Sequence, residues 1–479
     1  MAMRTRGARE KPSRRRPCAH CRHWRELAER RERENRRLRR RIERLETQLE
    51  TAQRAGKRQA APFSKGEPKA HPRRPGRKAG AAYGPRARRP IPAHVDETID
   101  VPLPAACDCG GEVEPEGVAD QYQTDIPPVR PRVTCFRVHL GHCLDCGRPV
   151  RGHDPRQTST ALGAAASQLG PRAVALAADL NKRLGVPYGK IVSLYQVAFG
   201  LAVSRGGLCL ALARLARSAR PTYQHLIESV RQAPVVAPDE TGWKVAGRLS
   251  WLWVFVTDRV TVYAILPGRG FEEASTILSV EYAGALERDG WAPYRRFTQA
   301  MHQSCLGHLL RRCHNLLDVA QRGQARFPHA VRRILGAALM LRDRVAAGAI
   351  SPHGRAVARG LLEARMDRTL AGRITYPPNR RFAKHLTTER PHLFTFLLRD
   401  DVQATNWRAE QAIRPAVVTR KVCGGNRSWA GAQTQQILAS VLRTCQQQGR
   451  DPLDLFVHLL QSGTAPPLAA DTQTLVRPP

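Results

Sequence analysis

Long apolar runs are missing from this 479-residue chain. No stretch of about 18 apolar residues occurs, so a membrane-spanning helix is not expected. The opening residues MAMRTRGAREKPSRRRP carry no apolar segment of the secretory kind, and a cytoplasmic location is expected. Acidic residues are scarce: 41 Asp and Glu stand against 78 Lys and Arg, a formal net charge of +37. Lysine is scarce too, at 10, so 68 of the cations are arginine. This balance argues against an ordinary small-molecule enzyme and for a polyanionic partner. Arginine suits bidentate contacts to phosphate and base edges; arginine-preferring codon usage is the plainer explanation. The chain is nonetheless 42% hydrophobic, so most of it can build a core.

The charge is unevenly spread. Residues 1–90 hold 30 Lys and Arg against 9 Asp and Glu, more than half of the excess in under a fifth of the length. After a basic segment at 1–23, residues 24–55 read as one helix without Pro or Gly. Asn35, Leu38, Ile42, Leu45 and Leu49 step by three and four, the seam of a coiled coil. A solvated Arg-rich helix is the alternative, because only two to three heptads are well formed. Residues 56–94 are rich in Gly, Pro, Lys and Arg and read as a basic linker. Residues 95–152 look like a small β-rich module, and residues 160–232 like a helical region. Within the latter, YGKIVSLYQVAFGLAVSRGGLCLALARLA has the outline of a helix-turn-helix, or of two ordinary packed helices. Three strand-like runs follow from 234, then a helix at FEEASTILSVEY and a strand ending at GALERDGW. Residues 299–375 read as helical and basic, and 405–414 and 431–449 as two more helices. Residues 461–479 read as a tail.

Twelve cysteines are present. Cys107-x-Cys109 and Cys143-x-x-Cys146 each precede a glycine, as in zinc-knuckle turns, and four thiolates can close a tetrahedral structural site for Zn²⁺. The first pair is one residue short of the usual spacing, so Cys135, His139 or His142 could replace a member. Reduced buried thiols are the alternative. A further group, Cys18, Cys21 and His23, has nothing downstream to complete it.

Two carboxylates are expected at strand ends: Asp239 in PDETGW and Asp289 in RDGW. Glu410 lies on a helix, one turn after Asn406 and one turn before Arg414. Hard oxygen ligands arranged in this way are what a pair of Mg²⁺ ions requires for phosphoryl transfer. Spacing alone does not select these three, since a strand-end Asp is often a turn former. Glu410 and Arg414 could also form a simple i,i+4 helix salt bridge, and Pro415 is expected to kink or end their helix.

PDETGW, RDGWAPY, CLGH, TNWRAEQAIRPAVVTRK, SWAGAQ and SVLRTCQQQGRDPLDL, in this order, resemble the transposases of the insertion-sequence-sixty-six family. The zipper-like N-terminus, the APFSKG…PGRKAG linker and the cysteine module match in order as well, so the resemblance runs from about residue 27 to 460. It implies a multidomain α/β protein. An RNase-H-like DDE catalytic core at 233–460, with a helical insertion at about 312–400, would follow the coiled coil, the basic linker, the zinc-binding module and the helical DNA-binding region. It implies Asp239, Asp289 and Glu410 as the catalytic triad holding Mg²⁺ (or Mn²⁺). Cys305 and His308 would lie close to the active site, with Asn406, Arg414, Arg420 and Lys421 facing DNA. A core Cys and His on an amphipathic helix is the alternative for the first two. The chain departs from the family pattern at Cys107-x-Cys109, at Trp291 and at Trp407.

The expected activity is strand cleavage at transposon ends and joining of the freed 3′-hydroxyl to target DNA. Double-stranded DNA, a second copy of the chain and accessory proteins encoded by the same element are the expected partners. A catalytically inactive DNA-binding regulator is the rival, since the zipper-like helix, zinc module and helix-turn-helix would suffice for it.

Overall fold

The computed structural model describes residues 19–57, 89–163, 168–463 and 468. The chain divides into two compact units, Met1–Arg74 and Pro75–Pro479. Residues 58–88 of the basic linker and most of the tail lie outside the described residues, as does Cys18.

In the first unit one helix, α1, runs over Ala19–Lys57, a little beyond the expected bounds. Its 39 residues give a length of about 58 Å. Pairs such as Arg36–Glu32 at 3.0 Å support it along the surface. Leu38, Ile42 and Leu45 of the seam are all exposed.

From residue 89 the described part of the second unit runs without regular secondary structure as far as residue 139. The β-rich module expected at 95–152 is reduced to one hairpin, β1 (Leu140–His142) paired antiparallel with β2 (Pro149–Arg151). The remaining backbone there makes no ladder. Its many prolines and exposed side chains explain why: Pro donates no ladder hydrogen bond, and nothing apolar is buried to pin a register.

The helical region starts at α2 (Pro171–Ala178), with Pro at its first position, and continues through a π turn over Asp179–Arg183. Next come α3 (Tyr188–Phe199), α4 (Arg205–Ser218) and α5 (Arg220–Gln232). The α3–α4 connection is a short turn between two helices. Gly200, left-handed at φ +63°, ends α3, and the Ser204 hydroxyl accepts the Gly207 N–H at 3.0 Å to start α4.

The centre is a five-stranded sheet of β3 (Val235–Val245), β4 (Arg248–Val256), β5 (Thr261–Leu266), β6 (Ala285–Arg288) and β7 (Met301–Ser304), in the order β5-β4-β3-β6-β7. The first three strands are antiparallel neighbours, while β3–β6 and β6–β7 are parallel. Ala246 and Gly247, both with positive φ (50° and 76°), close the β3–β4 hairpin. The short helix α6 (Phe271–Leu278) connects β5 to β6. Strand β7 corrects the helical reading of 299–375: four residues, MHQS, are too few to show a period.

Four helices separate β7 from the last part of the fold: α7 (Leu306–Asp318), α8 (Arg326–Ala346), α9 (Pro352–Ala371) and α10 (Pro377–Glu389). They bury a cluster of their own, including Leu335, Met366 and Phe382, which reaches Val235 and Ala285 at the sheet. Then follow α11 (Trp407–Cys423), α12 (Trp429–Gln447) and α13 (Pro452–Ser462). Pro415 does not end α11: the helix continues for two more turns with Pro415 inside it. One face of the sheet packs on α11 through Ala237, Trp243 and Val254 against Ala409, Ala412 and Ile413. The other packs on the α2–α5 helices and α12 through Trp253, Phe255 and Val262. Edge strand β5 is covered rather than open. Gln436, Ser440 and Thr444, spaced four apart on α12, accept the N–H groups of Ile265, Tyr263 and Thr261.

Candidate active site

Strand register brings the two aspartates level. β3 and β6 pair in parallel at Val235 with Ala285 and Val236 with Leu286. Continuing each strand by three residues reaches Asp239 on one and Asp289 on the other. Asp289 follows β6 directly, as expected. Asp239 does not end its strand: β3 continues six residues further, because its other edge stays paired to β4, with Asp239 opposite Val254. The β6 side of β3 is already unpaired there, so the backbone opens beside Asp239.

Side chains alternate along a strand, so Asp239 shares its face with Ala237 and Trp243, the face that α11 covers. Glu410 sits in the first turn of α11, whose N-cap position is Asn406. His308 sits in the first turn of α7, with Cys305 at the N-cap position. Glu410 Oε1 lies 3.6 Å from His308 Nε2, and its ion-pair partner is this imidazole, not Arg414 one turn ahead. Cys305, His308 and Glu410 each offer one ligand atom, and the three atoms lie within 4.8 Å of one another.

These groups act on one another electrostatically. Burial, the neighbouring Glu240 and the Asp289 carboxylate together push Asp239 up from the usual carboxylate range to about 7, against the pull of His308. Contact with the Cys305 thiol raises His308, with Glu410 and Asp289 adding to it against burial. Burial pushes the Cys305 thiol up, but His308 and the Asn406 amide outweigh it, and the net direction is down.

Several supports were not legible from sequence. Glu240 points to the opposite face and is clamped: it accepts from Arg269 at 2.7 Å and from the Tyr294 hydroxyl. Arg269 lies between Trp251 and Trp291, at 4.8 and 3.9 Å from their ring centres. The Trp291 N–H is donated to Asp289 Oδ1 at 2.9 Å, which fixes that carboxylate. On β6, Glu287 is fully buried and accepts from Arg408 of α11 through both oxygens at 3.1 Å, and from the Gln403 N–H at 2.5 Å. Arg288, also fully buried, donates to Glu389 of α10 at 2.8 Å. The one available signal was LERD itself, two charges inside an apolar strand just before Asp289.

Two expectations about DNA-facing residues are corrected. Asn406 is only 1% exposed; it donates from Nδ2 to the Pro238 carbonyl at 2.9 Å, and so holds the strand beside Asp239. Arg420 is half-buried and donates to Thr241 Oγ1 at 3.0 Å and to the Gly242 carbonyl, pinning β3. Both face the sheet because they lie on the inner side of α11. Arg414 and Lys421 are exposed.

The cysteine pairs form turns separately. The Cys107 N–H is donated to the Gly111 carbonyl and the Gly110 N–H to the Cys107 carbonyl; the Gly147 N–H is donated to the Cys143 carbonyl at 2.9 Å. Within each pair backbone N–H groups of the turn lower the first cysteine, and contact with the second thiol adds to this. No three of Cys107, Cys109, Cys143 and Cys146 come within 4.8 Å of one another, so the four are not gathered into one ligand shell.

A family model described as "Transposase IS66 family" matches residues 166–434, more than half of the chain and the stretch that holds all three carboxylates. The chain is also similar to an uncharacterized protein of Sinorhizobium fredii, y4qI: 24% identical over 430 residues, covering 78% of this chain and 74% of that one. Among the described residues, no helix is long and apolar enough to cross a membrane.

Proposed function

The chain belongs to the IS66 transposase family, and from that premise we propose that it is a DDE transposase. It cleaves DNA at transposon ends and joins the 3′-hydroxyl to target DNA, with Asp239, Asp289 and Glu410 as its catalytic carboxylates. What supports this reading is that all three carboxylates act on His308, Asp239 and Asp289 electrostatically and Glu410 at 3.6 Å. Parallel register levels Asp239 with Asp289, and α11 sets Glu410 over the same face. The antiparallel-then-parallel sheet order supports an RNase-H-like core, with α7–α10 as its helical insertion.

The donor set fits a pair of hard divalent ions, Mg²⁺ or Mn²⁺, because all three ligands are carboxylates and Asp239 is charge-starved without a cation beside it. Such ions, when bound, supply activation of the attacking hydroxyl and stabilisation of the leaving oxygen. The residues of the chain do the rest. Trp291 N–H orients Asp289, and Asn406 and Arg420 hold β3 so that Asp239 keeps its place. In the ion-free site the Asp239 carboxyl keeps its proton up to about pH 7. Exposed Arg414 and Lys421 lie on the same helix as Glu410 and suit phosphate contacts, which position the duplex. The exposed Trp407, in the turn that carries Glu410, is available to stack on a base.

DNA ends are recognised by the α3–α4 region, the cysteine module and the basic arm, and the exposed α1 seam pairs two copies. The Cys107/Cys109 and Cys143/Cys146 turns stand apart and each offers two thiols, so structural Zn²⁺ would have to draw the two turns together to complete a four-thiolate shell. Accessory proteins from the same element complete the assembly.

Labelled DNA carrying the element's own end, incubated with Mg²⁺ or with EDTA, tests the proposal. Metal-dependent nicking at the boundary is expected. It should disappear in Asp239→Ala, Asp289→Ala and Glu410→Ala while end binding persists. Normal cleavage by any of these variants removes that residue from the triad.

A further inference from the structure

We infer that Cys305, His308 and Glu410 form a binding site for one thiophilic divalent ion of the Zn²⁺ class, distinct from the carboxylate site in its donor set and sharing Glu410 with it. This inference rests on the transposase reading only for its consequence, not for the site itself.

The ligand set is built by two helix starts. Cys305 and His308 are three residues apart at the N-terminus of α7, which puts both on one side of its first turn. Glu410, in the first turn of α11, closes the group from across the site. One sulfur, one imidazole nitrogen and one carboxylate oxygen lie within 4.8 Å of one another. Tetrahedral Zn²⁺ with the usual bond lengths needs ligand separations of about 3.4–3.6 Å, so closure of about 1 Å suffices.

Three further observations favour an ion. The buried His308 Nδ1 has no hydrogen-bond partner, an unusual state for a buried polar atom. Cys305 is 3% exposed, yet its sulfur accepts the Asn406 N–H at 3.2 Å, a contact that steadies a thiolate. Both sites of charge, Cys305 and Glu410, lie at helix N-termini, where partial positive charge favours anions. The mixture of S, N and O donors separates this ion from Mg²⁺, which takes oxygen alone. Three protein ligands leave a fourth position open to water or to a phosphate oxygen.

Binding breaks the S–H bond of Cys305, forms a metal–thiolate bond and releases the proton to solvent, so uptake strengthens with pH. An ion held there withdraws Glu410 from the hard-metal pair. Zn²⁺ therefore inhibits Mg²⁺-dependent cleavage, and a chelator selective for Zn²⁺ over Mg²⁺ restores it.

Co²⁺ is the probe, because its thiolate charge-transfer band reports sulfur ligation without any reference to activity. A full-length chain with Cys18, Cys21, Cys107, Cys109, Cys143 and Cys146 replaced by Ser is expected to take up one Co²⁺ with that band. Adding Cys305→Ser should abolish the band, and His308→Gln or Glu410→Gln should weaken uptake at least about tenfold. If the six-fold background loses its cooperative melt, the difference spectrum between the wild-type chain and Cys305→Ser gives the same readout. Absence of bound Co²⁺, or a band that survives Cys305→Ser, overturns the inference. Asp239→Asn separates the two readings: it should keep the Co²⁺ band while losing Mg²⁺-dependent cleavage. Normal cleavage by Asp239→Asn sinks the carboxylate reading and leaves the soft-ion site standing.

Discussion

Asp239→Asn should make the ion-free protein more stable at pH 8, although it destroys the proposed site. The carboxylate is partly buried, beside Glu240 and within reach of Asp289, and its pKa rises from 3.8 to about 7. A raised carboxylate pKa means that the folded state prefers the neutral acid. Stability from this group is therefore fully present below about pH 4 and is lost as pH rises through about 7. The gap between 3.8 and about 7 corresponds to at most about 4 kcal/mol at pH 8. Asn is neutral at every pH and keeps the acceptor oxygen that Asp239 offers to the Glu240 N–H at 2.9 Å. In EDTA at pH 8 the variant should melt higher than the parent, by roughly 4–12 °C for a core of this size. At pH 4 the two should melt together. Mg²⁺ should close the gap: an ion at 100 times its Kd adds about 2.7 kcal/mol to the parent, and at 1,000 times about 4.1 kcal/mol, while the variant gains nothing. Thermal melts across pH 4–8, with EDTA and with Mg²⁺, read both effects. A variant less stable than the parent at pH 8 in EDTA would refute the assignment of Asp239 as a strained, cation-seeking carboxylate.

Other perturbations follow from the same geometry. Arg408→Ala leaves the fully buried Glu287 without its cation and should cost about 3–5 kcal/mol; an unchanged melting temperature would remove that pair from the architecture. Replacing Cys143 and Cys146 together by Ser should lower bound zinc by one ion per chain, measured by elemental analysis, and unchanged zinc content defeats the knuckle assignment. Affinity for duplex DNA should fall linearly on a double-logarithmic salt plot, with a slope of about −0.9 per phosphate contacted; a flat plot contradicts a DNA partner for this +37 chain.

How far the sequence reveals this protein depends on the range of the interaction. The α11 and α12 helices, the β3–β5 run and the turn after α3 follow from local pattern, and the structure contains each of them. The sequence puts Asp289 at a strand end because Gly290 and Trp291 follow it at once. Asp239 reads as a strand end for the similar reason that Gly242 follows nearby, yet pairing with β4 carries the strand past it. A partner strand overrides a local break, and no local pattern contains the partner. The short β7 and the inward turn of Asn406 were missed on the same ground. The family resemblance implies that Asn406 faces DNA, but its side-chain amide reaches the Pro238 carbonyl, 168 positions away.

The two charges of β6 show what this long-range pairing accomplishes. Glu287 meets Arg408, 121 positions later, and Arg288 meets Glu389, 101 positions later. Each pair is wholly or largely buried, and a buried ion pair is a weak source of stability compared with apolar side chains of the same volume. What these pairs supply is register. Glu287 ties the strand of Asp289 to the first turn of α11, two residues before Glu410. Arg288 ties the same strand to the end of α10, where Ser304 of β7 also donates to Glu389, at 2.5 Å. A slip of one residue in β6 would turn both charges to the wrong faces and leave each buried without a partner. The long helical segment between β7 and α11 is thus part of what sets the distance between the second and third carboxylates. Shortening that segment should cost cleavage before it costs folding of the β3–β5 half of the sheet.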